Sequence, residues 1–505
     1  MVLNTRVTDM KKNTSAVSFR KTLSRRSFLK SASLAIGTCR AWQSAFASPI
    51  GANGAVRIAI IGLGAKGSAH LKNLLNMPGV RISALCDVDP RVLEHAASSI
   101  SGGHLAPFVT TDARRVFERN DVDAVMIATS NHWHALLTIW ACQSGKDVYV
   151  EKPMSRTIWE GRKMIEAVRR YRRVVQVGTH YRSETGLAEA IQFLHSGQLG
   201  KIRQIRAIVY NLRVGIGRQH PWYPSWMDYS EYCGPAPMLP LERPRLHYDW
   251  HWNWNTGNGE LGNNGVHVLD IALRMARHNT LPRQILSFGE RFVIDDAAET
   301  PNTHVAIYDY AEIPLFFEHR ALPARPGVNF MDQYGGIRMG IIAECEGGYV
   351  SGLVGATAFD LSHKRVKTFT GDGGAGHVKN FIDSVRSRRS EDLAAPVETG
   401  HLSASLCHYG NISYRVGAKV THEHMVRAIA ASPTALAIYD SQRKHLELHG
   451  VDLSRQPFRL GAWLEPDAAN DGIRSIATER ESGLDDARFL LRETQRPPYI
   501  IPEVV

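Results

Sequence analysis

The sequence predicts an α/β fold in which an N-terminal parallel sheet precedes a C-terminal α+β domain with a mainly antiparallel open sheet. Short β-branched runs alternate with helical patterns between Val56 and Gly178, which is typical of strand–helix–strand units. Later strands follow one another with few helices between them, which favours antiparallel pairing. The 505 residues are accordingly divided into a leader (1–47), a parallel-sheet domain (48–178), an α+β domain (179–420) and a C-terminal helical extension with an arm (421–505).

The first predicted strand leads into a glycine-rich turn. Arg57–Ile61 is apolar and β-branched, and it precedes Gly-x-Gly-x-x-Gly and a helical pattern. Glycines in this arrangement permit a tight turn, leave room for a phosphate at the backbone and let helix and strand pack closely. The motif therefore predicts a Rossmann dinucleotide-binding domain. Its predicted cofactor contacts are Gly62, Leu63, Gly64, Lys66 and Gly67.

An acidic residue ends the second predicted strand. Val80–Cys86 is followed by Asp87, which lies 20 residues past Gly67. A carboxylate at this spacing can accept hydrogen bonds from both ribose hydroxyls, and it repels a 2′-phosphate. The spacing predicts NAD as the cofactor in preference to NADP. The alternative is that Asp87 only caps a helix beginning near Pro90.

Two further strand ends are predicted to contact the cofactor. The strand Ala124–Ala128 precedes a loop with Asn131 and His134, and Asp147–Val150 precedes Glu151-Lys152-Pro153. Ligands of open α/β sheets bind outside the carboxyl ends of the strands, which places these residues at the site. Burial beside a cofactor lowers the pKa of a lysine and lets it exchange a proton with a substrate hydroxyl. The alternative is a surface lysine beside an ordinary turn proline.

The basic balance of the chain is concentrated at its N-terminus. Residues 1–47 hold nine Lys or Arg and one acid, a net charge of +8, so the rest carries only +3 of the total of +11. Nucleic-acid binding is therefore not indicated. Ser24-Arg25-Arg26-Ser27-Phe28-Leu29-Lys30 and the later Ala45-Phe46-Ala47 predict recognition by the twin-arginine translocase and cleavage before Ser48. The stretch between them is too short and polar for a membrane anchor, so a periplasmic or secreted protein is predicted.

The cysteines indicate neither metal nor disulfide chemistry. Five lie beyond the leader, an odd number without metal-ligand spacing. Cys86 and Cys142 fall in apolar elements and are predicted to be buried thiols. We therefore expect no metal site and no disulfide framework.

The second domain carries polar and aromatic candidates for substrate contact. His180 and Arg182 follow the strand Val174–Gly178, where they either reach a substrate hydroxyl or a cofactor phosphate or serve the structure only. Residues 211–256 form a long irregular segment with five of the ten tryptophans, among them Trp252. Aromatic faces suit the C–H surface of a sugar ring, but they also pack loops and subunit interfaces. Both interpretations of the segment stay open.

With these motifs the sequence resembles the Gfo/Idh/MocA oxidoreductases, a family named for glucose–fructose oxidoreductase, inositol dehydrogenase and a rhizopine-catabolism protein. The resemblance runs from about Val56 to the C-terminus and implies a Rossmann domain followed by an α/β domain whose open sheet often serves in oligomerisation. A homo-oligomer is therefore predicted. The resemblance also implies NAD(P)-dependent oxidation or reduction of a sugar or cyclitol carbon. The stretches that carry it are GLGAKG, CDVDP, NHWHA, EKP, GNGELGNNGVHVLD and HYGNISYRVG.

The same resemblance implies roles for single residues. Lys152 falls on the family's catalytic lysine. His267 falls on the histidine that stands four residues after a commonly found Asp, and it is predicted to be both a catalytic residue and a substrate contact. Asn263, a further predicted substrate contact, stands where the family commonly has Asp. Because asparagine cannot take up a proton, the general base stays open between His267 and Lys152. Asp270, three residues past His267, either reinforces it or is structural.

The predicted function is an NAD(P)-dependent oxidoreductase acting on a secondary hydroxyl of a sugar, glycoside or cyclitol. A periplasmic enzyme finds no free pool of NAD, so the cofactor is expected to be loaded before export and held tightly. One alternative is a redox-neutral, NAD-dependent glycosidase, although such relatives tend to lose the Lys of Glu-Lys-Pro that is present here. The other alternative is a non-catalytic sugar-binding protein, which Asn263 motivates.

Overall fold

The computed structural model describes residues 54–100, 105–477 and 483–505. The predicted twin-arginine signal, residues 1–47, lies outside these ranges. Within them, no helix is long and apolar enough to cross a bilayer. No cluster of three or more His, Cys, Asp or Glu side chains in the same ranges is arranged to hold a metal ion. Cys86 and Cys142 are buried thiols, as predicted.

A six-stranded parallel sheet follows the order β3-β2-β1-β4-β5-β6. This is the order of a doubly wound sheet, and it confirms the predicted Rossmann domain. The strands β4, β5 and β6 are buried throughout, which explains their continuous apolar runs. The six strands are Val56–Ile61 (β1), Val80–Cys86 (β2), Phe108–Thr110 (β3), Ala124–Ile127 (β4), Asp147–Val150 (β5) and Val175–Val177 (β6).

A second sheet of twelve strands has the order β14-β13-β12-β11-β7-β10-β9-β8-β16-β15, with β17 pairing β8 and β18. Among the described strands, β7 and β10 pair in parallel and the other neighbours pair antiparallel, which confirms the predicted α+β domain. These strands are Ile202–Tyr210 (β7), Gln284–Glu290 (β8), Thr303–Asp309 (β9), Leu315–Arg320 (β10), Met339–Cys345 (β11), Gly348–Leu353 (β12), Gly355–Asp360 (β13), Arg365–Phe369 (β14), Ala418–Lys419 (β15), Arg459–Leu460 (β16), Trp463–Asp467 (β17) and Gly472–Ala477 (β18).

Helices pack against both sheets, and local signals fix several of their ends. Asp89 caps one helix by accepting a hydrogen bond from the Arg91 N–H at 3.0 Å, with Pro90 at the first helical position. The helices are Ala65–Leu75 (α1), Pro90–Ser98 (α2), Arg114–Phe117 (α3), Asn131–Gln143 (α4), Ile158–Tyr171 (α5), Thr185–His195 (α6), Tyr229–Cys233 (α7), Val266–Ala276 (α8), His377–Ser387 (α9), Val397–Arg415 (α10), His422–Ile429 (α11), Pro433–Leu448 (α12) and Gly483–Leu490 (α13).

The helices divide into layers around the two sheets. In the Rossmann domain, α1, α2 and the much later α9 cover one face, and α3, α4 and α5 cover the other. In the second domain, α6, α8 and α10 cover one face of the large sheet. On its other face α11 and α12 pack over β8, β9 and β10. The C-terminal arm, residues 491–505, returns to the Rossmann domain, where Tyr499 and Ile501 join the core.

The structure differs from the sequence-based prediction in three places. The loop predicted to hold Asn131 and His134 is instead the first turn of a helix, because α4 begins at Asn131. A π-helical turn, Leu261–Gly265, which the sequence pattern does not predict, precedes the helix that carries His267. The region past Val420 was expected to be helical, but it also forms β16, β17 and β18. β16 has only two residues, and β17 and β18 do not alternate apolar and polar residues.

Candidate functional site

A cavity of about 450 Å³ lies at the carboxyl ends of β1, β2, β4 and β5, where doubly wound sheets bind ligands. The Rossmann domain forms its floor. Residues 226–251 of the aromatic segment, here called the roof, close it from the opposite side. The cavity lining includes nine of the predicted site residues: Gly62, Gly64, Lys66, Asp87, His134, Glu151, Lys152, Asn263 and His267.

The glycine turn has the shape that a pyrophosphate requires. Gly62 has a φ of +86°, and a Cβ on it would lie 2.7 Å from the main-chain carbon of Ala128. A Cβ on Gly67 would overlap the main-chain oxygen of Gly62, so helix and turn are in direct contact. At Gly64 a Cβ would meet nothing within 4 Å, which leaves the space in front of α1 open. The N-terminal N–H groups of α1 can therefore bind an anion.

Asp87 lies in the cavity one strand away from this turn. Its Oδ2 accepts a hydrogen bond from the Leu63 N–H at 2.7 Å, and its Oδ1 accepts one from the Asp89 N–H at 2.9 Å. Burial raises the pKa of the Asp87 carboxyl, and these two N–H groups oppose the rise. Since Asp89 is the residue that caps α2, the alternative of Asp87 as the cap does not hold. The turn and Asp87 together fit the diphosphate and ribose of NAD.

Glu151 is a fixed negative charge at the end of β5. Its Oε1 lies 2.8 Å from Nε2 of His70 and 3.9 Å from Nζ of Lys66. Its Oε2 accepts a hydrogen bond from the Lys152 N–H at 3.2 Å. Burial alone would raise the pKa of Glu151, but the His70 hydrogen bond and the nearby cations hold it well below its usual range. Glu151 thus ties the strand end to α1 and stays ionised.

Lys152 reaches across the cavity to the second domain. Its Nζ donates to the main-chain O of Asn263 at 2.7 Å and to Oδ1 of Asn263 at 3.1 Å. Burial lowers the pKa of Lys152, and the carboxylates of Glu151 and Glu260 oppose this only in part. The alternative of an ordinary surface lysine is therefore excluded, because Lys152 lines the cavity and spans both domains.

His267 lines the same end of the cavity from the first turn of α8. Its ring lies edge-on to His180 at 4.8 Å and to Tyr181 at 5.1 Å between ring centroids. Burial, followed by the positive charge of Lys152, lowers the pKa of His267 well below its usual value. The imidazole is therefore neutral at physiological pH. Its buried Nδ1 has no hydrogen-bond partner within the described chain, so a bound molecule can satisfy it.

Hydrogen bonds fasten the roof to the Rossmann domain at several points, one of them between Arg114 and Glu231. Trp133 on α4 donates from Nε1 to the main-chain O of Tyr232 at 3.0 Å. Asp89 accepts a hydrogen bond from Nε1 of Trp226 at 3.2 Å, and the same carboxylate oxygen lies 3.0 Å from Nε2 of His247. The residue that caps α2 therefore also holds the roof.

The C-terminal arm secures the roof from outside. The Arg496 N–H donates to the main-chain O of Pro235 at 2.9 Å. Its guanidinium donates to the main-chain O of Ser230 at 2.6 Å and to Oγ of Ser230 at 3.0 Å. The Tyr499 ring packs edge-on against Trp133 at 5.4 Å between centroids. A molecule in the cavity is thus covered by a roof that two separate parts of the chain hold down.

Three rings of the roof face the cavity near Lys152: Tyr248, Trp250 and His251. Trp250 and His251 are stacked with centroids 3.6 Å apart. Tyr248 has a φ of 66°, a strained conformation for a residue with a side chain. Its hydroxyl accepts a hydrogen bond from Arg213 at 3.0 Å. These rings, with a phenol and a guanidinium at their edge, form a surface suited to a sugar.

Three predicted cofactor contacts have a supporting role. Leu63 lies outside the lining and contributes its N–H to Asp87. Asn131 also lies outside the lining, because its Nδ2 donates to Oδ1 of Asn258 at 2.9 Å and so joins the two domains. His134 does line the cavity, but both of its ring nitrogens lie within 3.1 Å of main-chain carbonyls, those of Pro153 and Thr129. His134 therefore positions the Glu-Lys-Pro turn.

The predicted substrate contacts divide in the same way. Asn263 and His267 line the cavity. His180 lies outside the lining and packs against the ring of His267. Arg182 does not reach the cavity, because its Nε binds the Asp270 carboxylate at 2.8 Å. That ion pair also gives Asp270 a structural role. Trp252 is buried outside the lining, beneath the Arg213 guanidinium at 5.2 Å.

Sequence reasoning missed several lining or anchoring residues. His70 sits on α1 three residues past Gly67 and carried no signal of its contact with a carboxylate 81 residues away. Trp133 and Tyr232 meet across 99 residues. The aromatic density of 211–256 indicated a functional segment, but it did not indicate that the segment covers the dinucleotide cleft.

The comparisons with known proteins agree with this geometry. Residues 56–179 match the sequence model of the Gfo/Idh/MocA family, described as an oxidoreductase family with an NAD-binding Rossmann fold. A glycosyl hydrolase family 109 protein of Shewanella pealeana is 34% identical over 120 residues, which is 23% of this chain and 26% of the relative. Inositol 2-dehydrogenase 4 of Saccharopolyspora erythraea is 35% identical over 151 residues, 30% of this chain and 44% of the relative. The chain thus spans less than half the length of these curated relatives.

Solved structures extend the likeness into the second domain. The WlbA dehydrogenase of Bordetella pertussis, solved with NADH and UDP-GlcNAcA, is 16% identical with a TM-score of 0.54, over 72% of this chain and 97% of that one. Levoglucosan dehydrogenase in complex with NADH is 17% identical with a TM-score of 0.54, over 70% of this chain and 95% of that one. At these identities the likeness shows a shared fold. The Rossmann domain of this chain thus matches the Gfo/Idh/MocA oxidoreductase family over residues 56–179, and its two-domain fold is shared with these solved structures.

Proposed function

We propose that this chain is an NAD-dependent oxidoreductase that acts on a secondary hydroxyl of a sugar, glycoside or cyclitol in the periplasm, with its cofactor held tightly. One observation carries the proposal. The cavity that holds the glycine turn and Asp87 at one end holds Lys152 and His267 together at the other. NAD bound along this cavity would take up or return the hydride.

Lys152 is the better proton acceptor of the two candidates. The pKa of Lys152 is lowered by burial, so its amine form becomes available closer to neutral pH than for an exposed lysine. Burial lowers the pKa of His267 well below its usual value, and the positive charge of Lys152 lowers it further, so the imidazole stays neutral. His267 therefore orients the hydroxyl by a hydrogen bond, and Lys152 takes its proton. Such proton transfer contributes about 10² to 10⁴ in rate.

The roof supports a sugar-sized substrate beside these two residues. Tyr248, Trp250 and His251 provide flat faces within the lining. Burial lowers the pKa of His251 to about 3, so its ring is uncharged. The structural relatives point the same way, since one was solved with UDP-GlcNAcA and another is a levoglucosan dehydrogenase.

The covered cavity supports the proposal of export with a bound cofactor. A dinucleotide could leave the cavity only after the contacts of the roof with the Rossmann domain and with the C-terminal arm had opened. An enzyme loaded in the cytoplasm and carried across the membrane by the twin-arginine translocase would need such retention. It would then recycle its NADH in place. A homo-oligomer also remains part of the proposal.

The test follows nicotinamide absorbance at 340 nm across a panel of sugars, glycosides and cyclitols. The purified protein, a Lys152→Met variant and a Lys72→Met control are compared, since Lys72 is an exposed residue on α1. We expect one or more panel members to reduce the bound nucleotide in the wild type and the control, and a loss of at least about 10²-fold in the Lys152 variant. Full activity in that variant would refute the assigned role. A protein that binds the sugars without any absorbance change would be a sugar-binding protein.

A second candidate is a redox-neutral glycosidase, which the glycosyl hydrolase family 109 relatives favour. The presence of Lys152 weighs against it. The two functions differ in their products. Release of nitrophenol from an aryl glycoside without net NADH would establish the glycosidase, whereas net nicotinamide reduction with the glycoside intact would establish the dehydrogenase.

A further inference from the structure

Three carboxylates of the described residues line the cavity: Asp87, Glu151 and Glu231. Asp87 follows β2 and Glu151 follows β5, whereas Glu231 belongs to α7 and so to the roof. Glu231 pairs at 2.6 Å with Arg114, which begins α3 just after β3. Burial raises the pKa of the Cys86 thiol at the end of β2, and nearby carboxylates, Glu231 among them, add to the rise. The roof carboxylate therefore lies over the β2 and β3 side of the cavity.

A dinucleotide bound as proposed would extend from Asp87 toward this carboxylate. Its diphosphate lies at the glycine turn after β1, and Asp87 after β2 binds the ribose of the adenosine half. The nicotinamide half runs the opposite way, toward Lys152 after β5. The adenine base therefore lies past β2. On that side the floor is lined by Val88, Thr111 and Ala113, and the roof by Glu231 and Tyr232.

From this placement we propose that Glu231 recognises the adenine base of the dinucleotide, because its carboxylate accepts a hydrogen bond from the 6-amino group. The inference rests on the proposed function. A carboxylate only accepts hydrogen bonds, and the 6-amino group is the donor that adenine offers once it is joined to ribose. The Rossmann domain thus holds the diphosphate and ribose, and the second domain selects the base.

Glu231 is fixed in place before a nucleotide binds. Its Oε1 accepts a hydrogen bond from Nη2 of Arg114 at 2.6 Å. Its N–H donates to Oδ1 of Asp228 at 3.0 Å, and its main-chain O accepts from Nε1 of Trp133 at 3.2 Å. Because the main chain and one carboxylate oxygen are both held, little conformational freedom is lost when the base binds.

The carboxylate of Glu231 has acceptor capacity left for the base. An ionised carboxylate offers about four acceptor positions, of which Arg114 takes one. Tyr499 of the C-terminal arm is a further partner, since burial and a hydrogen bond with Glu231 raise the pKa of Tyr499 to about 12. The Glu231 side chain is still 22% exposed, so part of it faces the open cavity.

The test compares NADH with reduced nicotinamide hypoxanthine dinucleotide, in which an oxygen replaces the 6-amino group, so that one acceptor faces another. The purified holoprotein is exchanged with each dinucleotide. Release is followed as the loss of reduced-nicotinamide fluorescence after addition of excess NAD. We expect the wild type to release the hypoxanthine dinucleotide about tenfold faster than NADH, the effect of losing one hydrogen bond to a charged group.

In Glu231→Gln we expect the two release rates to lie within about threefold of each other, because an amide can donate to the oxygen as well as accept from the amino group. Glu94→Gln, the same change at an exposed position on α2, is expected to keep the wild-type ratio. A roof that is merely loosened releases both dinucleotides faster and leaves their ratio unchanged, so the ratio reports recognition of the base.

Equal release of the two dinucleotides by the wild type would overturn the inference, and this result needs no variant to fold. A folded Glu231→Gln protein that keeps the tenfold difference would overturn it too. A protein that takes up neither dinucleotide would contradict both the inference and the proposed function. If the ratio changes as expected but no sugar is ever oxidised, the proposed function fails and recognition of adenine by Glu231 stands.

Discussion

Arg496 joins the C-terminal arm to the roof, and an Arg496→Ala substitution tests whether the arm keeps a nucleotide in the cavity. The guanidinium donates to the main-chain O and the Oγ of Ser230, at 2.6 and 3.0 Å. A hydrogen bond from a charged group contributes about 1.5 to 3 kcal/mol, and because water can replace the bonds of the partly exposed Arg496, we expect a total loss of about 2 kcal/mol. Since about 1.4 kcal/mol corresponds to a factor of ten, the roof should open about 30 times more often.

The assay is the rate at which bound NADH leaves the protein, followed as the loss of its fluorescence after addition of excess NAD. We expect release to be about 30-fold faster in Arg496→Ala than in the wild type. Arg283→Ala is the matched control, because Arg283 forms an exposed ion pair with Asp309 on the second sheet. A release rate within threefold of the wild type in a folded Arg496→Ala protein would refute the retaining role of the arm. Equal acceleration in the control would show a general loss of stability instead.

The remaining predictions concern Asp87 and Trp250 in the cavity, the buried ion pair of Arg182, and the pH dependence of Lys152. In Asp87→Ala the ratio of the NADP dissociation constant to the NAD dissociation constant should fall by about tenfold or more, because the negative charge that repels a 2′-phosphate is removed. Both dissociation constants are measured for the wild type and the variant. Trp250→Ala should raise KM for the sugar about tenfold with kcat changed less than threefold and the nucleotide retained, as shown by steady-state kinetics and absorbance at 260 nm. Arg182→Ala should lower the free energy of unfolding, measured in urea, by about 3 kcal/mol, because it leaves the buried Asp270 without its cation. The nucleotide content, measured by absorbance at 260 nm, should stay the same. The rate of oxidation should rise with pH as the ammonium of Lys152 loses its proton. The midpoint of the rise should lie below the ordinary lysine pKa, because burial lowers the pKa of Lys152. A rate that falls with pH over that range would contradict the role of Lys152 as proton acceptor.

The parts of the site that a local pattern encodes were predictable. The glycine turn, Asp87 and the Glu-Lys-Pro turn each follow a buried strand, and a parallel sheet brings strand ends to one edge. Their positions therefore follow from the order of the elements alone. The resemblance to a family added His267, which no local pattern distinguishes from a structural histidine.

The parts that depend on distant residues were not predictable. The His70–Glu151 contact joins residues 81 apart, and the Trp226–Asp89 bond joins residues 137 apart. Arg182 shows the opposite case: its place after a strand indicated a site residue, but Asp270, 88 residues later, binds it in the core. Sequence pattern gives the face on which a side chain lies, whereas its partner is fixed by how distant parts of the chain pack together.

We propose that the Rossmann domain carries NAD as a resident cofactor, and the nucleotide content of the purified protein tests this proposal most directly. The folded protein is freed of loose nucleotide by extensive dialysis, denatured with acid or heat, and the released nucleotide is identified and quantified by chromatography and mass spectrometry. We expect close to one NAD or NADH per chain. A folded protein that releases none, and that takes up neither NAD nor NADP when they are supplied, would contradict it.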